Sequence, residues 1–259
     1  MSVAERIAAD GYFTLAGPMS SNDVSHWNDV IDAVMEEAVA GHHQTVRTQA
    51  NTPYAVRDVF SLIPQLTELA AIPALFDLAA EVLGPETRCV RATIFEKPID
   101  LPWGLPWHRD MTIGVRQRAD VPGFTAWSVK SGIPHVRPPR EVLDGMLALR
   151  LSLDANDDDN GALRVIRGSH RDFDVSADAP PESAIVTCAT EAGGVVAMRP
   201  TIMHGSLEPR EPRRRRIVHF EYADRDLPQP LEWRHDIRPS NSYDTDTPDP
   251  FPVTEPSDG

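Results

Sequence analysis

Met146-Leu147-Ala148-Leu149-Arg150-Leu151-Ser152-Leu153-Asp154 places a leucine at every second position. In extended chain, successive side chains point to opposite faces. Leu147, Leu149, Leu151 and Leu153 therefore share one side, and Ala148, Arg150 and Ser152 the other. Shorter segments between turn signals read as further strands: Arg88 to Lys97, Leu163 to Ile166, Gly194 to Met198, and Arg215 to Tyr222. The first 85 residues or so are predicted to be mainly helical. Val24, Trp27, Ile31, Val34, Met35 and Ala38 fall at helical spacing, Ser20 and Ser21 offer N-caps, and Gly41 supplies a stop. A second helix is predicted from Pro73 to Gly84-Pro85, and Gly11 to Leu15 reads as a short strand. Helices followed by a series of short strands imply an α+β chain built on an antiparallel β-sandwich or jelly roll.

A chain of 259 residues is ample for one large core. Residues 1–225 are expected to form a single domain, helical over 1–85 with the jelly-roll core over 86–225. From Asp226 the chain becomes rich in Pro and Asp, with few apolar residues to build a core, so 226–259 reads as an extended tail partly laid over the domain. No apolar run reaches the ~18 residues of a membrane span, and residues 1–11 lack the apolar stretch of a signal peptide. The expected location is the cytoplasm. Cys89 and Cys188 read as buried free thiols. The net charge of -14 argues against nucleic acid or an anionic membrane as partner, and the arginine run 213–216 is too small a phosphate footprint to reverse that.

Trp107-His108-Arg109-Asp110 carries the chemistry. Residues two apart in extended chain face the same side, so His108 and Asp110 present an imidazole nitrogen and a carboxylate oxygen together. That is two-thirds of a 2-His-1-carboxylate facial triad for iron(II). By itself the pair also fits an exposed loop with a salt bridge. Met203-His204-Gly205-Ser206 follows a Gly-rich turn and a strand, which lets His204 meet the pair across the sandwich. Eleven residues later comes Arg215, whose planar guanidinium suits a fixed carboxylate. Strand alternation puts Arg215, Ile217, His219 and Glu221 on one face and Arg214, Arg216, Val218 and Phe220 on the other, with Arg216 the alternative clamp. Asp157 to Gly161 reads as a solvated turn, His42-His43 as surface residues, and His170 as a loop-fixing hydrogen-bond partner.

Four segments together resemble the phytanoyl-CoA dioxygenase-like family of iron(II)/2-oxoglutarate oxygenases. They are Pro106 to Asp110, Asn160 to His170, His204-Gly205-Ser206, and Arg215-Arg216 leading to Tyr222. The resemblance covers roughly residues 88–225, and Arg167 stands where the family usually has proline. It implies a double-stranded β-helix (jelly-roll, cupin-like) core with N-terminal helices packed on one side. It implies iron(II) on His108, Asp110 and His204, and 2-oxoglutarate clamped by Arg215 with Ser206 as hydroxyl partner. Arg150 and Thr93 would line the cosubstrate pocket, and the leucine-rich strand independently puts Arg150 on its polar face. The reaction implied consumes O2 and 2-oxoglutarate, releases succinate and CO2, and hydroxylates an unactivated C–H of a small molecule. Related halogenases carry a small residue in place of Asp110, so its presence argues for hydroxylation. Two other readings stand beside this one: a jelly-roll metal enzyme that does not use 2-oxoglutarate, and a non-catalytic small-molecule-binding protein. Substrate choice is expected to lie in Met111 to Glu141, a long segment holding Trp127, Lys130, His135 and several arginines (Arg116, Arg118, Arg137, Arg140), whose charges suit an anion.

Overall fold

The computed structural model describes residues 1–50, 52–172, 180–211 and 213–239. The helical part runs α1 (Val3–Asp10), β1 (Tyr12–Leu15), α2 (Ser21–Ala40), β2 (Val46–Gln49), β3 (Thr52–Val56), α3 (Val59–Leu62), α4 (Leu66–Ala70) and α5 (Pro73–Leu83). There follow β4 (Arg88–Lys97), β5 (Leu105–His108), β6 (Ile113–Gly114), β7 (Thr125–Lys130), β8 (Ile133–Arg137) and α6 (Arg140–Asp144). The last strands are β9 (Met146–Ser152), β10 (Leu163–Ile166), β11 (Ile185–Cys188), β12 (Val195–Met198), β13 (His204–Ser206) and β14 (Arg215–Ala223).

Seven strands form the large sheet in the order β1-β12-β9-β14-β4-β3-β2, and four form a facing sheet, β11-β10-β13-β5. All pairings are antiparallel, as the jelly-roll expectation requires. Both faces of the large sheet are covered. The four leucines around β9, with Val218, Phe220 and Tyr222 of β14, pack against Ile31, Leu66, Leu75 and other helical residues. On the reverse face Ala148, Val196 and Met198 pack against Leu163 and Val165 of the small sheet. Every residue of β9 is buried.

The two predicted helices form for the reasons the sequence offers. Ser20 caps α2 in a capping box with Asp23, and its apolar stripe Val24, Trp27, Ile31, Met35 and Ala38 is buried. Pro73 opens α5, and Gly84 ends it at φ +89°, where a side chain would be strained. Arg216 of β14 ties α2 to the sheet, with Nη2 2.6 Å from Asp32 and 3.1 Å from Glu96.

Two departures matter for the site. The stretch 46–56, read as part of a helical region, is a hairpin that extends the large sheet beside β4. The segment 111–141, read as a long loop, folds into the three-stranded sheet β6-β8-β7 and the short helix α6.

Residues 226–239 lie over the body and contribute to its interior. Leu227, Leu231 and Trp233 are buried with Val115, Phe124 and Val136. Main-chain bridges join Ile237 to Cys89 and Trp233 to Val115. Asp58 accepts from Arg234 Nη2 at 2.8 Å and lies 2.7 Å from His235 Nε2. The rest of the sequence-level tail, 240–259, lies outside the described residues. Three large apolar side chains suffice for this docking in an otherwise polar stretch. Trp233 is 5% exposed. Trp233→Ala is therefore expected to cost about 3–5 kcal/mol, seen as a lower urea midpoint at unchanged slope. A loosely draped segment would lose no more than about 0.5 kcal/mol. Among the described residues no helix is long and apolar enough to cross a membrane.

Candidate metal centre

The small sheet assembles the centre. Strands β13 and β5 pair with His204 opposite His108, and the two imidazole rings lie 4.2 Å apart. Just beyond β5 the chain is held by the Asp110 amide, which donates to the Pro200 carbonyl at 2.9 Å. This returns the Asp110 carboxylate to the histidines: Oδ2 is 3.5 Å from His204 Nε2, and Oδ1 is 3.9 Å from His108 Nε2. One ligand atom from each of the three residues lies within 4.8 Å of the others.

Hydrogen bonding fixes which nitrogens face the centre. His108 Nδ1 is 2.9 Å from the Pro106 carbonyl, and His204 Nδ1 is 3.0 Å from the Ile202 carbonyl. A carbonyl can only accept, so both Nδ1 atoms carry the proton and both Nε2 lone pairs point at the shared space. Burial pushes His204 down to about 4, against the pull of Asp110. Burial would raise the Asp110 carboxyl, but His204, His219 and His108, with Arg91, hold it well below the usual carboxylate range. Two imidazole Nε2 atoms and a carboxylate oxygen aimed at one point are the donor set a divalent metal requires. With only three protein ligands on one side, the set leaves the other positions free for exogenous ligands. It therefore fits iron(II).

A cavity opens from the centre between the sheets, lined by His108, Asp110, His204, Arg215, Arg150 and Ser206, among others. Arg215 is 3% exposed, yet only one end of its guanidinium is engaged, by the Gly161 carbonyl. Among the described residues its buried Nε has no partner. Burial, then the nearby Arg150, lowers Arg215 to about 9. Two buried guanidiniums side by side, one with an orphaned N–H, form a receptor for an anion. The donor set fits the far carboxylate of 2-oxoglutarate.

The neighbours of these arginines were less visible in the sequence. Arg150 Nη1 is 3.1 Å from His219 Nδ1. Arginine can only donate, so His219 carries its proton on Nε2, which lies 3.4 Å from Glu221 Oε1. Glu221 in turn pairs with Arg91. His219 and Glu221 share the Arg215 face of β14, and that alternation was their only signal. Lys97 gave none. It is fully buried and donates to Ser206 Oγ at 3.0 Å, to the Leu207 carbonyl at 2.9 Å and to the Gly161 carbonyl at 3.2 Å. Lys97 occupies an oxygen lone pair of Ser206 and leaves the serine O–H free to donate.

The expected residues are brought together with one exception. His108, Asp110, His204, Arg150, Ser206 and Arg215 line one cavity, while Thr93 lines the adjoining chamber, which also includes Asp110. Arg216, the alternative clamp, faces α2 and is spent on Asp32, Glu96 and Asn28.

A family model described as phytanoyl-CoA dioxygenase (PhyH) matches residues 7–217. An ectoine dioxygenase of Sphingopyxis alaskensis is 26% identical over 166 residues, which are 63% of this chain and 47% of that protein. An ectoine dioxygenase of Stutzerimonas stutzeri is 23% identical over 250 residues, 85% of this chain and 75% of the other. The chain thus spans about half the length of the first relative. In fold, it is similar to EctD from Sphingopyxis alaskensis with 2-oxoglutarate and 5-hydroxyectoine, at a TM-score of 0.64, 22% identity, and coverage of 85% of this chain and 74% of that one.

Proposed function

Since the chain belongs to the phytanoyl-CoA dioxygenase family, we propose that it is an iron(II)- and 2-oxoglutarate-dependent dioxygenase that hydroxylates an unactivated C–H bond of a small molecule, with succinate and CO2 as coproducts. One observation carries this reading: a three-ligand metal cluster and a buried, half-engaged Arg215 line the same cavity. A bare metal enzyme has no need of the second.

The roles follow from the contacts. His108, Asp110 and His204 hold the metal through two Nε2 atoms and a carboxylate oxygen. Arg215 clamps the far carboxylate of 2-oxoglutarate through its free N–H, and the Ser206 hydroxyl donates to the same group. Arg150 is fixed by His219 and adds positive charge beside the cosubstrate. When bound, iron and 2-oxoglutarate turn O2 into an oxidant strong enough to attack C–H. Phe95, Trp103, Leu105 and Leu163 give the cavity apolar walls that keep water away from that chemistry. Asp110 fills the position a halide would need, which favours hydroxylation over halogenation.

The site lies within one domain over residues 1–225, with 226–239 strapped across it. A cytoplasmic setting suits the two buried, unpaired cysteines, Cys89 and Cys188. Ectoine, the compound in the relatives' names, is the first substrate to assay. The decisive experiment is an anaerobic titration with iron(II) and 2-oxoglutarate. A weak visible metal-to-ligand charge-transfer band is expected. The reading fails if no band forms, or if the band survives His108→Ala unchanged.

A further inference from the structure

A second chamber of about 150 Å³ adjoins the metal centre and shares Arg91, Phe95 and Asp110 with the cosubstrate cavity. Its walls come from distant parts of the chain: Arg57 after β3, Thr93 on β4, Lys130 on β7, His135 on β8, and Arg234 from the C-terminal strap.

The charges on these walls do not cancel. Both Asp58 oxygens are engaged by Arg234 and His235. Arg91 is paired with Glu221. Asp110 belongs to the metal ligands. His135 donates through Nδ1 to the Ile133 carbonyl at 3.0 Å, and burial pushes it down to about 4, so it is neutral. Arg57 and Lys130 remain. Lys130 Nζ touches only the Thr112 hydroxyl, at 3.1 Å, and among the described residues neither cation has a carboxylate within ion-pair distance. Their surroundings aggravate this. Lys130 is lowered by burial, then by Arg91 and Arg57, against the smaller pull of Asp110 and Glu221, and Arg57 is lowered by burial, then by Arg47 and Arg91. Half-buried cations that repel one another destabilise the empty protein and are relieved by a bound anion.

Size narrows the ligand. A cavity of about 150 Å³ encloses something near benzene in bulk. Phe95 and Ile133 offer an apolar surface for its carbon skeleton.

We infer that this chamber binds the substrate as a compact organic carboxylate, held by Arg57 and Lys130 and presented to the metal beside Asp110. The inference rests on the iron- and 2-oxoglutarate-dependent reading above. Of the basic side chains singled out in 111–141, only Lys130 and the neutral His135 line the chamber. Arg116 instead pairs with Glu232, and Arg118 lies over Trp127.

The test titrates the iron(II) protein, saturated with 2-oxoglutarate and free of oxygen, with butyrate, benzoate and proline. Butyramide, benzamide, prolinamide and methyl phosphate serve as the contrast. At least one carboxylate should shift the visible band saturably while its amide does not; displacement of 2-oxoglutarate would bleach the band instead. Arg57→Met and Lys130→Met should each weaken that carboxylate about tenfold, as expected for loss of one charged hydrogen bond. Both variants should still form the band with 2-oxoglutarate alone, which shows that they are folded. The inference is overturned if the amide binds as well as the acid, if only the phosphate binds, if no acid shifts the band, or if both variants bind like the parent. Failure of the underlying reading looks different, because no band forms before any acid is added.

Discussion

His204→Ala is expected to abolish both the visible band and 2-oxoglutarate-dependent succinate formation, a loss of about 10³-fold or more. Outer-shell partners of metal ligands typically cost 10–100-fold, and His204 is a direct ligand in this reading. It is 2% exposed, its Nδ1 is held by the Ile202 carbonyl, and strand register sets it opposite His108. His219, also on the cavity wall, is not free to replace it, because it is committed to Arg150 and Glu221. Metal content and succinate release, measured on protein with unchanged circular dichroism, check the prediction. Retained turnover would remove His204 from the centre.

The second large effect concerns neighbouring arginines that behave oppositely. Arg215→Ala is expected to raise the apparent KM for 2-oxoglutarate about 30- to 5,000-fold, the range for truncating one partner of a buried charged pair. Turnover at saturating 2-oxoglutarate should fall much less, and Arg215→Lys should recover part of the loss. Arg216→Ala should leave that KM unmoved and instead lower stability by about 3–5 kcal/mol, because it strands Glu96 and frees Asp32 of α2. Steady-state kinetics with both variants, beside urea unfolding, separates the two roles. An unchanged KM in Arg215→Ala would favour a metal enzyme that does not use 2-oxoglutarate.

Those arginines also show where sequence reasoning reaches its limit. Alternation along β14 sorts Arg215 from Arg216 by face, but no local pattern says which face meets the cavity. Asp32 and Glu96 decide it, from 184 and 120 residues away. Local signals sufficed where the physics is local. Ser20 and Gly41 bound α2, the leucines mark β9, and the two-residue spacing of His108 and Asp110 makes a chelating pair. They failed where edge strands carry no buried stripe. Strand β2 is half-buried or exposed throughout, and β7 has no buried residue, so neither shows a period. Arg57 and Lys97 are ordinary as letters. Their character comes from partners, or the lack of them, that only the fold creates.

The large sheet has one further consequence. Its middle strand, β14, lies between β9 and β4 and is the last strand of the described chain. During synthesis the metal ligands and every other strand leave the ribosome before it. Until residues 215–223 emerge, the growing polypeptide has two half-sheets and no weld between them, a long-range closure that folds slowly. The same nine residues carry Arg215 and His219. A nascent chain can therefore gather its histidines early but cannot hold the cosubstrate until the sheet is closed, so an oxidising centre is not armed inside a half-folded protein.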